Sequence, residues 1–434
     1  MTAYIRQRML LRSLFDAAVA AADPARCVPP HLPRVDQLPK GRTIVVGAGK
    51  AAAAMARAVE AHWPGDRAKL SGLVVTRYGH GMAGTADSSI EVIEAAHPVP
   101  DAAGALAALR MLDTVSGLTE DDLVLVLLSG GGSALLAAPM AGITLDEKRA
   151  VTKALLKCGA GIREINCVRK HLSAIKGGRL AFAAAPARVL TLAISDVPGD
   201  DLSTIASGPT VADPTGCNDA LEIVDRYGVE LPLAARNALL SGAAESPKEF
   251  DARFLRCEAR VIATAQDALA AAAAVARAQG LETLVLGDAI EGEAREAARV
   301  LAGIALSCAT SGVPLGAPCV IISGGETTVS VRGNGRGGRN AEFMLALAIA
   351  LEGHPRIHSI ACDTDGIDGS EDNAGALVLP DTLARCSAAG VNVREQLANN
   401  DAYTVFETLG DLVITGPTRT NINDFRAILI DRRS

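Results

Sequence analysis

Aromatic residues are scarce in this chain: they make up 3% of its 434 residues, with a single tryptophan. Nine cysteines are present, yet none forms a CxxC pair, so spacing supports neither a zinc site nor a disulfide framework. An odd number of unpaired thiols fits a reducing cytosol, and a cytoplasmic location is expected. No apolar run reaches the ~18 residues that span a bilayer, so no membrane partner is expected. The first stretch, MTAYIRQRMLLRSLFDAAVAAADP, lacks a long apolar run and a small-residue cleavage site. It reads as an amphipathic helix and not as a signal peptide. Basic charge is also in deficit, 42 Lys and Arg against 49 Asp and Glu, and a net charge of −7 argues against nucleic acid as a partner.

What is present is a hydrophobic content of 49%, rich in Ala, Val, Leu and Gly, as in packed α/β proteins. The length predicts two or three domains. Apolar strands at residues 43–46, 73–76, 91–95, 123–128 and 189–194 alternate with helical stretches, which predicts a mainly parallel, doubly wound sheet. The polar patch Ser241 to Asp251 reads as a linker, dividing the chain into domains 1–245 and 246–434. Beyond it come strands at 260–263, 283–286, 320–322 and 359–361, and a C-terminal strand from Asp411 to Ile414. Mean hydropathy of +0.25 points to surface buried against a second copy, a homodimer.

The densest chemistry lies in Ser323 to Glu342, SGGETTVSVRGNGRGGRNAE, with six glycines, three arginines and two glutamates between a strand and a helix. A Gly/Arg-rich loop in that position suits phosphate. The first half echoes it with Ser129-Gly130-Gly131-Gly132-Ser133, a glycine nest after an apolar strand. Gly47-Ala48-Gly49-Lys50, with Ala52, half matches the dinucleotide fingerprint, but the next strand ends on Thr76-Arg77 where an acid is needed. A lysine there instead aims a cation at an anion held by the helix dipole. No Walker A sequence occurs. Arg169, Lys170 and Lys176 form a charge run that alone reads as a solvated face. Ser195-Asp196-Val197-Pro198-Gly199-Asp200-Asp201 follows an apolar strand, where α/β sheets build their sites. Its carboxylates suit Mg²⁺ or proton transfer, with capping the competing reading for Asp200 and Asp201. Asp363-Thr364-Asp365-Gly366-Ile367-Asp368-Gly369 repeats the arrangement; Ala374 at the twelfth place rules out an EF-hand.

Together VVGAGKAA (Val45 to Ala52), HPVPD (His97 to Asp101), LSGGGSALL (Leu128 to Leu136), NCVRKHLSAIKGGRLA (Asn166 to Ala181) and SDVPGDDLSTIASGPT (Ser195 to Thr210) resemble the class II glycerate 2-kinases. ISGGETTVSVRGNGRGGRNAE (Ile322 to Glu342), DTDGIDG (Asp363 to Gly369) and TGPTRTNIND (Thr415 to Asp424) extend the resemblance in the family's order over nearly the whole chain. Ala341, Arg419 and Ala402 depart from residues common in the family.

The resemblance implies two α/β domains, the first Rossmann-like, with the MOFRL region at about 315–430 and the active site in the cleft between domains. It implies ATP-dependent, Mg²⁺-assisted phosphorylation of D-glycerate at the 2-hydroxyl, and it places the phosphate-stabilising cations at Lys50 and Arg339. On that footing Gly47, Gly49, the 129–133 nest, Asn334, Gly337, Gly338 and Asn340 would hold the triphosphate. Asp196 would bind Mg²⁺ or orient the hydroxyl, with Asp365 or Asp368 taking the other role. Arg169, Lys170 and Glu326 are the substrate-binding candidates. An NAD(P)H-dependent hydroxypyruvate reductase is the second reading, and a catalytically silent binding module the third.

Overall fold

A computed structural model describes the protein over residues 4–82 and 88–432. The chain forms two compact units, Pro24–Ile262 and Met1–Asp23 with Ala263–Ser434.

In the first unit, β1 (Thr43–Ala48), β2 (Leu70–Arg77), β3 (Ile90–Ala95), β4 (Leu123–Leu128), β5 (Arg188–Ile194) and β6 (Cys257–Ala263) form one sheet in the order β3-β2-β1-β4-β5-β6. β1 to β5 pair in parallel throughout. Every residue of β1 and β4 is buried, as the continuous apolar runs require when helices cover both faces. Val46, Val75 and Val126 share a core with Ala108 and Met111 of the helix Ala102–Val115. Strand order reverses between β1 and β4. The crevice at their carboxyl ends is where sheets of this order take ligands. Four further helices, Leu145–Lys157, Ile162–His171, Cys217–Arg226 and Leu233–Leu240, build a separate core around Leu155, Val168, Val224 and Leu239.

The second unit contains β7 (Glu282–Val285), β8 (Gly292–Glu293), β9 (Cys319–Gly325), β10 (Thr327–Thr328), β11 (Ile357–Asp363), β12 (Gly375–Val378), β13 (Leu412–Val413) and β14 (Asp424–Ile430). β8 and β10 form a small pair, and the rest make a mixed sheet in the order β13-β12-β11-β14-β9-β7. β14 lies antiparallel between β11 and β9. Alternate residues of β14 serve opposite faces. Ile428 and Ile430 join the core of the helices Ala294–Ser311 and Arg339–Leu351, while Phe425 meets Phe15 of the helix Ile5–Ala21 at 6.0 Å between ring centroids.

The expected pair of α/β domains, with a Rossmann-like first sheet, is what forms. Three details differ from the sequence expectation. The division falls at 262/263 and not at 245/246, because β6 follows the polar patch and completes the first sheet. The N-terminal helix belongs to the second unit, where Phe15 finds its partner and Thr420 donates to the Ala22 carbonyl at 2.7 Å. The stretch Asp411 to Ile414 supplies only the two-residue edge strand β13, whereas the unforeseen β14 is central and wholly buried.

Candidate active site

At the reversal point of the first sheet, the turn after β1 and the loop after β4 are knitted together. Lys50 N–H donates to the Gly130 carbonyl at 2.8 Å, and Ala51 N–H donates to Ser129 Oγ at 3.0 Å. Gly49 has φ of 140°, and a β-carbon there would stand 2.1 Å from Ser129 Oγ, so only glycine allows the approach. A β-carbon at Gly131 would stand 3.0 Å from the His97 ring and 3.5 Å from Lys50 Cγ. Lys50, His97 and the 129–133 loop therefore meet at one point, with Lys50 buried. The helix that the loop opens is a single turn, Gly132–Leu135.

Behind this loop lies a group of cations. Lys176 Nζ donates to the Ser133 carbonyl at 2.7 Å and to Ser133 Oγ at 3.4 Å. Lys148 Nζ donates to the Ala138 carbonyl at 3.1 Å, which also accepts Ser173 Oγ at 3.1 Å. Ser133 Oγ stands 2.6 Å from Ser207 Oγ. Ser207 is held there by three successive left-handed residues, Ala206, Ser207 and Gly208, with φ of 51°, 60° and 56°. A non-glycine residue in that region costs about 1 kcal/mol or more, and such strain collects at functional sites.

The basic run around Arg169 is not a solvated face. Lys170 is buried and pairs with Asp213 at 3.2 Å, so its charge is already met, while Lys176 is 1% exposed. Burial pushes the Lys148 amine down to about 7, helped by Arg169 and Arg179, and pushes Lys176 well below its usual range, helped by Arg169 and Lys148. Burial also lowers the half-buried Arg169. Lys148 carried no signal in the sequence, because the charge-rich segment LDEKRAVTKALLK reads as an ordinary surface helix. The buried carbonyl it reaches is visible only in the fold.

Asp196 lies half-buried just past β5. Asp201, by contrast, accepts Ser203 N–H at 2.9 Å and the Ser203 and Thr204 hydroxyls at 2.8 and 2.9 Å, which makes it a capping residue.

In the second unit Arg339 is gripped by three carboxylates: Nε donates to Asp424 at 2.7 Å, Nη2 to Asp363 at 2.9 Å and Nη1 to Glu326 at 2.9 Å. These carboxylates hold the guanidinium well above its usual range despite its burial. Asp424 also accepts Arg426 Nη2 at 2.6 Å and Asn340 Nδ2 at 2.7 Å. Glu326 thus binds Arg339 in this state, a different role from the substrate contact expected of it.

Much of the glycine-rich loop has its backbone N–H groups met from within the protein. Arg332 and Gly333 N–H donate to Asn400 Oδ1, Asn334 N–H to Asn399 Oδ1, Gly335 N–H to the Asn399 carbonyl, and Arg336 N–H to Asp401 Oδ1. The helix start at Gly338–Ala341 is answered internally too, since Asp368 accepts Asn340 N–H at 2.9 Å and Ala341 N–H at 2.7 Å. Complete burial pushes the Asp368 carboxyl up to about 6 even so. Asp365 is fully buried and accepts Ile367 N–H at 2.8 Å. Among the described residues, neither aspartate falls in a group of metal-ligand atoms. Among the described residues the cluster with ligand atoms close enough to share an ion is His171, Cys217 and Glu245, where Lys248 already pairs with Glu245 at 2.6 Å.

Comparison with known proteins adds to this geometry. Residues 10–240 match the family model described as a domain of unknown function, DUF4147, and residues 319–424 match the MOFRL family. A candidate hydroxypyruvate reductase of Agrobacterium vitis is 57% identical over 98% of this chain and 95% of its own. The D-glycerate 2-kinase of Thermotoga maritima is 42% identical over 94% of each chain. The crystal structure of a glycerate kinase from Thermotoga maritima superposes with a TM-score of 0.87 at 40% identity, covering 98% of this chain and 99% of the other.

Proposed function

Because the chain belongs to the class II glycerate 2-kinase family, built from DUF4147 and MOFRL modules, we propose that it transfers a phosphoryl group from ATP to the 2-hydroxyl of D-glycerate. The observation that carries this reading is Lys50 at the β1/β4 reversal point, joined to the Ser129–Ser133 loop. A dinucleotide at this crevice wants a carboxylate at the end of β2 for its ribose. Here β2 ends on the buried Thr76 and on Arg77. A buried lysine against a glycine loop suits the charge that builds on a transferring phosphoryl group. The hydroxypyruvate reductase reading has the name of a 57% identical relative behind it but lacks that carboxylate.

In this scheme Lys50 neutralises the phosphoryl oxygens and the 129–133 loop positions them. Arg339, the other cation that the resemblance assigns to phosphate, lies in the second unit, where its Nη1 partner Glu326 is the exposed one of its three carboxylates and the one most easily exchanged. Mg²⁺, when bound, would neutralise phosphate oxygens, and its preference for a carboxylate plus substrate phosphates fits the half-buried Asp196. Asp365 and Asp368 fit a metal less well, since their oxygens already accept backbone N–H groups.

The test is a product assay with D-glycerate, ATP and Mg²⁺, read by ³¹P NMR, beside hydroxypyruvate with NADH or NADPH. The 2-phosphate without cofactor oxidation is expected; the 3-phosphate would overturn the acceptor position, and cofactor oxidation without phosphorylation would overturn the kinase. Lys50→Ala is expected to lower kcat by about 100- to 1,000-fold, as for loss of a preorganised charge-stabilising donor. Equal losses of activity and stability would remove Lys50 from the chemistry.

A further inference from the structure

The three cations behind the 129–133 loop are built for something the fold does not supply. Among the described residues, the Arg169 side chain makes no hydrogen bond or ion pair, and neither Lys148 nor Lys176 has a carboxylate partner. Each lysine is bonded only to neutral oxygens, and each feels the positive charge of Arg169. Buried charge without a counter-ion is costly, and the cost is relieved by an anion that accepts hydrogen bonds from all of it. The neighbouring Lys170 shows the contrast, since Asp213 meets it inside the protein.

We infer that Lys148, Arg169 and Lys176, with the Ser133 hydroxyl, form the seat of a small carboxylate, that of the acceptor substrate. The inference rests on the kinase reading for the identity of the acceptor but not for the existence of the seat. Arg169 is the half-buried member and makes the direct contact, its planar fork matching a carboxylate. Lys176 fixes Ser133, and the Ser207 hydroxyl 2.6 Å away fixes it from the other side. Lys148 closes the back of the seat against the Ala138 carbonyl.

Two further consequences follow from the charges that face one another here, namely Lys148, Arg169, Lys176 and Arg179. A bound anion favours the protonated amines, so binding takes up protons. With the Lys148 amine near 7, affinity falls as pH rises above neutrality. An anion that met only full-time cations would show neither effect.

The experiment is calorimetric titration of the purified protein, without nucleotide, with D-glycerate, glycerol and glyceramide, in buffers of different ionisation enthalpy. Glycerol and glyceramide keep the skeleton but not the carboxylate. D-glycerate is expected to bind about 10- to 100-fold more tightly than either, the range of a charge-assisted hydrogen bond, and with proton uptake above neutral pH. Arg169→Met is expected to raise the Kd and KM for D-glycerate by a similar factor with the KM for ATP unchanged, and Arg169→Lys to recover part of the loss.

Equal binding of glyceramide, or no binding of D-glycerate, would overturn the seat. A rise in the KM for ATP alone on Arg169→Met would overturn it in favour of a phosphate site; inorganic phosphate as a fourth titrant separates that source. Carboxylate binding without any phosphorylated product would uphold the seat and sink the kinase reading.

Discussion

Arg339 and Arg426 sit among the carboxylates of Asp363, Asp424 and Glu326, whereas Lys148, Arg169 and Lys176 have no carboxylate partner among the described residues. Both groups are largely withdrawn from water, and each includes basic residues from segments rich in glycine, Arg339 in one and Lys176 in the other. Their charge balance is opposite. The arginine cluster completes itself, so its contacts stabilise the fold. The lysine cluster is left in excess, and that excess is available to a ligand. The difference shows that basic residues near glycines do not by themselves mark an anion site; what separates the two groups is the internal counter-charge.

The sharpest way to break the comparison is to remove the carboxylate at the centre of the balanced cluster. Asp424 accepts from Arg339, Arg426 and Asn340 and is fully buried. Asp424→Ala leaves two guanidiniums short of a partner and is expected to destabilise the protein by about 3–5 kcal/mol, as when one partner of a buried pair is deleted. Urea unfolding measures this. A loss below ~1 kcal/mol would mean that the cluster is already solvated and that its balance is not structural.

A smaller effect comes from Asp368, which caps the helix beginning at Arg339. Burial raises its carboxyl from an ordinary 3.8 to about 6, with the Asp424 charge adding to the rise and Arg339 opposing it. Between those values the folded state keeps a proton that the unfolded chain releases. Stability from this group is therefore full below the lower value and lost as pH rises through the upper one. The shift corresponds to roughly 3 kcal/mol at most. Because the lowered histidine His171 gives the opposite slope in part of this window, the quantity to follow is the difference between wild type and Asp368→Asn. That difference should be widest near pH 4, narrow as pH rises to about 6 and level off above it. A pH-independent difference would show that Asp368 is ionised throughout.

Much of the first sheet was legible because its strands are unbroken apolar runs, and those same runs located the ends of β1, β4 and β5, where Lys50, Ser129 and Asp196 stand. The second unit was harder to read. DFRAILI carries Asp424 and Arg426 in a strand that is entirely buried, and a strand with internal charges reads as a tail until its partners are seen. The internal partners of residues 332–336 were hidden for a related reason: the acceptors for those N–H groups come from Asn399 to Asp401, some 65 residues away. The boundary at 245 was misplaced because a polar loop does not reveal that the next strand returns to the earlier sheet. Lys148 was invisible, since a lysine on a charged helix looks alike whether it meets water or a buried carbonyl.

The least disruptive change bears most directly on the comparison. In the balanced cluster, loss of a cation strands carboxylates, so Arg339→Met should destabilise. In the unbalanced one, Lys176→Met removes a fully buried amine held only by a carbonyl and a hydroxyl. Methionine has similar volume and no charge to desolvate, and apolar replacement of buried ions is often neutral or stabilising. Loss of the bond to the Ser133 carbonyl costs about 1 kcal/mol. Removal of the cost of withdrawing this amine from water beside Arg169 and Lys148 offsets this and more, so Lys176→Met is expected to stabilise the unliganded protein by roughly 1 kcal/mol. Thermal unfolding with and without D-glycerate reads the result. Higher stability alone but a weaker upward shift on adding D-glycerate is the expected pattern, since the variant gives up the charge that the ligand would otherwise satisfy. Destabilisation in both conditions would mean that Lys176 is a structural strut for the 129–133 loop, and that the two clusters differ less than their partners imply.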